Sequence, residues 1–263
     1  MRSGPPAIET RGLGRDFGAI HAVKTLDLTV ERGEFFGFLG PNGAGKTTTI
    51  HMLATVIRPS RGGARVEGFD ILKEPLEVRR RIGIVFQDTT LDGDLTVEQN
   101  LVFAARLYGL RGLEARGRID HLLELFDLTG RRRERVGFLS GGMRRALDVA
   151  RGILHRPSLL FLDEPTLGLD PGSRRRTWAF LHRLRQSEAM TFFLTTHYLE
   201  EVEDCDRVAI LRRGELAALG TPAEVRGDAA SLEEAFLTVA GSDDRDGRRA
   251  AWAEDPTWVP EGP

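Results

Sequence analysis

The sequence predicts an α/β fold: a mostly parallel sheet flanked by helices, with an antiparallel β subdomain at the N-terminal end and an α-helical subdomain inserted in the middle. Three observations carry that prediction. A glycine-rich stretch, Gly40-Pro41-Asn42-Gly43-Ala44-Gly45-Lys46-Thr47-Thr48, lies between the strand-like run Phe35-Phe36-Gly37-Phe38-Leu39 and the helix-like Thr48-Thr49-Ile50-His51-Met52-Leu53. A second apolar run, Leu159-Leu160-Phe161-Leu162, ends in two carboxylates, Asp163 and Glu164. Between the two, from Val97 to about Leu128, apolar residues recur at helical spacing.

The glycine-rich stretch fits G-x-x-x-x-G-K-[ST], the phosphate-loop pattern, at every fixed position, and strand-before, helix-after is the context that pattern requires. The core therefore reads as a phosphate-loop NTPase. Gly40, Gly43 and Gly45 lack a Cβ, which lets the backbone turn with positive φ and aim successive N–H groups at phosphate oxygens. The helix opening near Gly45 adds the positive end of its dipole. Lys46 supplies a mobile charge for β and γ phosphates, and the Thr47 hydroxyl offers one ligand position on Mg²⁺. Only Lys24, Lys46 and Lys73 are lysines among 37 basic residues. A chain that uses arginine nearly everywhere thus keeps a compact ammonium where a planar fork fits less well.

Composition bounds the rest. A chain of 263 residues can bury one large core with a subdomain. The 37 basic residues nearly cancel 39 acidic ones, which argues against a general nucleic-acid binder with its basic stripe. A single cysteine, Cys205, excludes an intramolecular disulfide framework and reads as a small buried thiol suited to a reducing compartment. No stretch approaches the ~20 apolar residues of a membrane span, and Met1-Arg2-Ser3-Gly4-Pro5-Pro6 lacks the apolar centre of a signal peptide. The expectation is a protein that is soluble by itself and stays inside the cell.

Taken in order, residues 7 to 30 read as strands, because Leu26, Leu28 and Val30 alternate with Asp27 and Thr29. Phe17-Gly18 falls in the turn between them, and spacing favours a core role for Phe17 over stacking on a base. Arg58 to Gly63 marks a turn, Ala64 to Gly68 a short strand, Pro75 to Arg81 a proline-opened helix, and Ile82 to Phe86 a strand. Gln87 stands just past that strand, where open α/β sheets collect ligands. Leu101, Ala104, Ala105 and Tyr108 then share one helical face, as do Ile119, Leu122, Leu123 and Phe126. The arginine triplets at 79–81, 131–133 and 174–176 read as solvated faces, with contact to a partner or an acidic lipid as the lesser option.

Leu139-Ser140-Gly141-Gly142-Met143 predicts a helix capped by Ser140, with Met143, Leu147, Ala150 and Ile153 or Leu154 as its apolar stripe. Its two glycines expose N–H groups at a positive helix end, either a second anion site or an ordinary capped start. Leu159 to Leu162 reads as a strand buried on both faces that delivers Asp163 to a Mg²⁺ shell and Glu164 to an attacking water. Thr191 to Thr196 is a further buried strand, and His197 at its end is placed to meet a γ phosphate and hold water geometry. Val208 to Leu211 gives one more strand, and Ser231 to Ala240 a short amphipathic piece. Residues 241 to 263 read as a disordered tail, with Trp252 and Trp258 a candidate weak docking site.

A phosphate loop, Gln87 after a strand, Leu-Ser-Gly-Gly before a helix, an apolar strand ending Asp163-Glu164, then Leu169-Asp170 and His197: this order over about residues 7 to 220 resembles the nucleotide-binding subunit of the ATP-binding cassette transporters. Val78 to Gly83, Gly141 to Arg145 and Thr195 to Glu201 are similar to the drug-exporter branch, the daunorubicin-resistance ATPases. The resemblance implies ATP and Mg²⁺ as ligands, a domain over 1–240 with helical residues about 90–157 inserted, and separate membrane-spanning permease subunits as partners. It also implies a second ATPase subunit, a place at the cytoplasmic face of the membrane, and no nucleic acid. By the same resemblance Phe17 stacks on adenine, against the spacing; Asn42, Ala44 and Thr48 belong to the loop that holds the phosphates; and Gln87 joins Mg²⁺. Ser140, Gly141 and Gly142 then meet ATP held by the other subunit, Asp170 lies across the same seam, Glu164 is the catalytic carboxylate and His197 the switch residue. Met143 departs from the commonest glutamine and Leu167 from a small polar residue, and the region after Pro222 is shorter than in many exporter relatives.

Other readings are an importer, a lipid or polysaccharide exporter, a soluble cassette protein acting on ribosomes or DNA, and a phosphate-loop kinase. The soluble class carries two fused cassettes or a long coiled-coil insertion, and a kinase has no use for Leu-Ser-Gly-Gly.

Overall fold

The computed structural model describes residues 4–187 and 190–240, so the tail from 241 to 263, with Trp252 and Trp258, lies outside the described residues. In chain order, the hairpin β1 (Ile8–Phe17) and β2 (Ile20–Val30) precedes β3 (Phe35–Leu39) and α1 (Lys46–Leu53). β4 (Arg61–Val66), β5 (Phe69–Asp70), α2 (Pro75–Arg81) and β6 (Ile82–Val85) follow, and then the helices α3 (Val97–Leu107), α4 (Gly112–Leu125) and α5 (Gly141–Gly152). The chain continues through β7 (Leu159–Asp163), α6 (Pro171–Ser187), β8 (Thr191–Thr196), β9 (Arg207–Arg212), β10 (Glu215–Gly220), α7 (Pro222–Arg226) and α8 (Leu232–Ala240).

The strands join in one sheet, in the order β5-β4-β1-β2-β10-β9-β3-β8-β7-β6. β9, β3, β8, β7 and β6 run parallel, and β1, β2, β4 and β5 are antiparallel. The α/β class, with an antiparallel portion at the N-terminal end, is therefore what forms. Within the parallel part side chains alternate between two apolar clusters, as a pleated strand requires. Phe35, Leu39, Leu160, Leu162, Phe192 and Leu194 face the cluster built by α3, α4, α5 and α6. Phe36, Phe38, Leu159, Phe161 and Phe193 face the cluster of α1 and the antiparallel strands. Register places Phe35 beside Phe192 and Phe36 beside Phe193, and both pairs stack, at 5.0 and 5.5 Å. This doubly covered sheet fixes the strand ends that carry the site.

Several details differ from the sequence reading. β4 begins at Arg61, so Arg61 to Gly63 are strand, not turn, because the long β1 extends its pairing to Arg11↔Gly63 and Gly14↔Arg61. Tyr108 caps the end of α3 and is 44% exposed; rather than joining the apolar face, its ring stacks on His155 at 3.6 Å. α6 escaped the sequence reading, since an arginine-rich surface dilutes its apolar stripe to Leu181 and Leu184 with Trp178 and Phe180 alongside. The readable signal was Asp170 before Pro171, an acid at the cap and proline in the first turn. β10 and the capping box of α7, Thr221 with Glu224, also went unread. Cys205 is buried, and burial pushes its thiol well above the usual range.

Candidate functional site

The loop between β3 and α1 takes its shape from its glycines for two different reasons. Gly43 and Gly45 lie in the left-handed region, with φ 77° and 106°. Gly40 does not; a Cβ there would fall 2.5 Å from the Leu211 carbonyl oxygen, so close backbone approach, not positive φ, demands glycine at 40. Gly45 immediately precedes α1, whose first-turn N–H groups have no intrahelical acceptor. Lys46 is buried with its ammonium folded onto the loop, donating to the Gly40 carbonyl at 2.8 Å and the Pro41 carbonyl at 3.3 Å. It also lies 3.3 Å from Glu164 Oε1.

The ends of β7 and β8 converge on that ammonium. Asp163, 1% exposed, accepts from the Thr195 hydroxyl at 2.5 Å and the Thr47 hydroxyl at 3.3 Å. Glu164 follows with φ +45°, a left-handed conformation that costs a non-glycine residue on the order of 1 kcal/mol. Thr195 holds it there, because the Glu164 N–H donates to both the carbonyl and the hydroxyl of Thr195 at 3.1 Å. Glu164 Oε2 also lies 2.6 Å from His197 Nδ1, in hydrogen-bond contact. One carboxylate is thus gripped by a lysine on one side and a histidine on the other. His51 on α1 stands nearby, its basicity lowered by burial and partly restored by Asp163.

The hydroxyl of Thr47 and the carboxylate of Asp163 suit Mg²⁺. Neighbouring oxygens of an octahedral Mg²⁺ shell sit about 2.9 Å apart. The pair here is at 3.3 Å, and both are hard oxygen donors.

Other expected residues sit at the margins of this cluster. Gln87 is exposed at the end of β6, whose Val85 pairs with Leu162 of β7. Together with Gly141 and Asp148 it lines a cleft of about 160 Å³. Ser140 caps α5, its hydroxyl accepting from Met143 N–H at 3.3 Å, and Ser140 and Gly141 are exposed. Gly142 also has a packing reason, since a Cβ there would fall 2.6 Å from Ser173 Oγ of α6. Asp170 caps α6 by accepting from the Ser173 hydroxyl at 2.6 Å and N–H at 3.0 Å, bonds that hold its carboxyl below the ordinary range. Asn42 is exposed, Ala44 is buried with its N–H on the Pro41 carbonyl, and Thr48 is half-buried in the first turn of α1. Phe17 belongs to neither apolar cluster, contrary to the spacing; it is half-buried beneath the Arg15 guanidinium at 4.6 Å.

Four contributors were missed by sequence reasoning. Thr195 is a polar residue buried within an apolar strand, a signal that was legible and passed over. Glu201, also buried, accepts from the Thr166 and Thr196 hydroxyls and so ties the turn before Asp170 to the segment of His197. Arg174, from a triplet read as solvated, lies 3.9 Å over the Tyr198 ring, which packs on His197 at 4.1 Å. Arg145 is buried against the strand ends.

Comparison with known proteins meets this geometry. Residues 23–167 match a family model described as ABC transporter. A daunorubicin/doxorubicin resistance ATP-binding protein of Streptomyces peucetius, DrrA, is 47% identical over 221 residues, which cover 84% of this chain and 67% of that protein. Among solved structures, an ATP-binding subunit of an ABC transporter superposes with a TM-score of 0.80 at 30% identity, covering 89% of this chain and all of the other. CbiO1 of Clostridium perfringens, described as part of the ABC transporter complex CbiONQ, gives 0.78 at 28% identity over 86% of this chain and 92% of its own.

Proposed function

The chain belongs to the ABC transporter family, and from that footing we propose that it is the ATP-hydrolysing subunit of a membrane exporter of drugs or similar small molecules. It binds ATP and hydrolyses it to ADP and phosphate, as the family does. The coupling to transport, through membrane-spanning subunits supplied by separate chains at the cytoplasmic face, is our reading; it draws support from the names of the relatives and from the transporter complex to which one structural neighbour belongs. Among the described residues no helix is long and apolar enough to cross a membrane.

The observation that carries the catalytic reading is the grip on Glu164, 3.3 Å from Lys46 and 2.6 Å from His197. The orphan N–H groups at the start of α1, with the loop from Gly40 to Thr48, receive the phosphates. Lys46 exchanges Glu164 for the β and γ phosphates, and Glu164 is thereby released to orient a water and take its proton. His197 holds the carboxylate's other oxygen, so water and base keep one geometry. Thr47, Asp163 and Gln87 would hold Mg²⁺, which would supply positive charge to neutralise the phosphoryl oxygens. Thr195 keeps Asp163 and the Glu164 backbone in place for both tasks.

Phe17 lies on the hairpin whose Ala22 carbonyl abuts Gly45, and there we assign it to the adenine. Ser140, Gly141, Gly142 and Asp170 engage nucleotide held by a second copy, so that two chains close head to tail over two ATP molecules. Glu164→Gln keeps the shape and removes the base. Expected is ATP affinity within a few-fold of the parent with turnover lower by about 10²–10⁴-fold. Near-parental turnover in steady-state phosphate release contradicts the role of Glu164.

A further inference from the structure

Arg145 stands on α5, five residues after the Ser140 cap, and is 6% exposed. Its guanidinium makes three hydrogen bonds, all to main-chain oxygens: Nη1 to Phe86 at 2.5 Å, Nη2 to Asp163 at 3.1 Å and Nε to Pro165 at 2.6 Å. Those carbonyls belong to the end of β6 just before Gln87, the end of β7, and the turn running to Asp170. Six residues on, Arg151 donates to the Thr90 carbonyl at 2.8 Å and to its hydroxyl, and meets Asp148 at 3.1 Å. One helix therefore clasps both ends of the segment 86–90, with Gln87 between the clasps.

We propose that Arg145 is a positioning residue for hydrolysis, keying the helix that starts at Ser140 to the two strand ends that carry Gln87 and Asp163. This rests on the two-chain reading of the site. When the exposed start of α5 engages its partner's nucleotide, any turn of the helix must carry the Phe86 end with it or break a bond in a buried place, where water does not replace it. Each chain's own Gln87 and Asp163 thus feel what its neighbour has bound. The planar fork matters here, since its donors reach three carbonyls in fixed directions and a lysine ammonium reaches one or two.

The test is steady-state hydrolysis by purified Arg145→Lys and Arg145→Met, read with direct nucleotide binding, Mg²⁺ titration and thermal melting. Expected is a fall in kcat of about 10–100-fold in both variants, with nucleotide Kd within about threefold and half-saturating Mg²⁺ raised. Recovery of kcat to within about twofold by lysine overturns the proposal, because charge alone would then suffice. Loss of nucleotide binding in step with the melting temperature overturns it too, as a sign of packing only. Should neither variant fold, Arg151→Gln, at the more exposed clasp, takes their place: about threefold to tenfold lower kcat with raised Mg²⁺ demand supports the proposal, and unchanged kinetics contradict it. Dimerisation of Glu164→Gln on ATP is measured beside these. Its absence sinks the two-chain reading, and the Arg145 assignment is then judged on kcat and Mg²⁺ within one chain.

Discussion

The two regions to which we assign phosphate are built in opposite ways. Around Lys46 the charged groups are buried: Asp163 and Glu164 are 1% and 8% exposed, and Thr47, Thr195 and His197 are bonded to them. Ser140 and Gly141 are exposed, and the one hydrogen bond of the Ser140 hydroxyl, among the described residues, goes to its own helix. The first region has partners for its charges within one chain, and the second is the exposed, capped start of a helix. An exposed helix start on each chain is what the proposed two-chain mechanism has a second chain's nucleotide cover.

Breaking the two regions separately tests that contrast. Lys46→Ala removes the ammonium that lies 3.3 Å from Glu164 Oε1, and nucleotide affinity and turnover both fall, turnover by about 10³-fold. Ser140→Arg obstructs the open region, so turnover falls by a comparable factor, about 10²–10³-fold, while one chain still binds nucleotide within a few-fold of the parent. Equilibrium binding to the monomer separates the two; equal loss of binding in both would erase the contrast.

The enclosed region also depends on the sheet beneath it. Phe193 touches the rings of Phe36, Phe38 and Phe161 at 5.5, 5.2 and 5.6 Å. Phe193→Ala is expected to cost about 3–5 kcal/mol in chemical denaturation. Thr195→Val is isosteric but leaves Asp163 without its closest donor. We expect about 1–3 kcal/mol of lost stability and about tenfold lower kcat, with Kd for nucleotide little changed.

The smallest effect concerns pH. His155 donates Nε2–H to the Ile82 carbonyl at 2.9 Å, which leaves Nδ1 bare and buried, and burial lowers its pKa to about 4. The unfolded chain, with an ordinary histidine, binds the proton first, so stability is present above about pH 6.5 and is lost as pH falls toward 4. Denaturation midpoints at pH 7 and 5 should differ through this group by about 2 kcal/mol, and His155→Phe should flatten that slope.

What was legible in the sequence was what short-range chemistry fixes. Loop, strand and carboxylate pair are contiguous residues whose types admit few other uses, and Lys46, Thr47, Asp163, Glu164 and His197 do come together. Gly40 was given the wrong reason, and Gly142 has a packing reason that was not read, since both meet residues distant in sequence, Leu211 and Ser173. Arg145 was invisible among so many arginines, because nothing but its three carbonyl partners distinguishes it. Thr195 stood out as a polar residue in an apolar strand, but its partner Asp163, like the partners Thr166 and Thr196 of Glu201, is fixed by contacts that periodicity does not record. α6 was lost because a helix packed by so narrow a stripe carries a weak periodic signal.

The most direct measurement is sedimentation of Glu164→Gln, with and without ATP, beside the double variant Glu164→Gln/Ser140→Arg. The account predicts that ATP converts the first to a dimer and leaves the second monomeric with nucleotide still bound. A monomer in the first case, or a dimer in both, contradicts it.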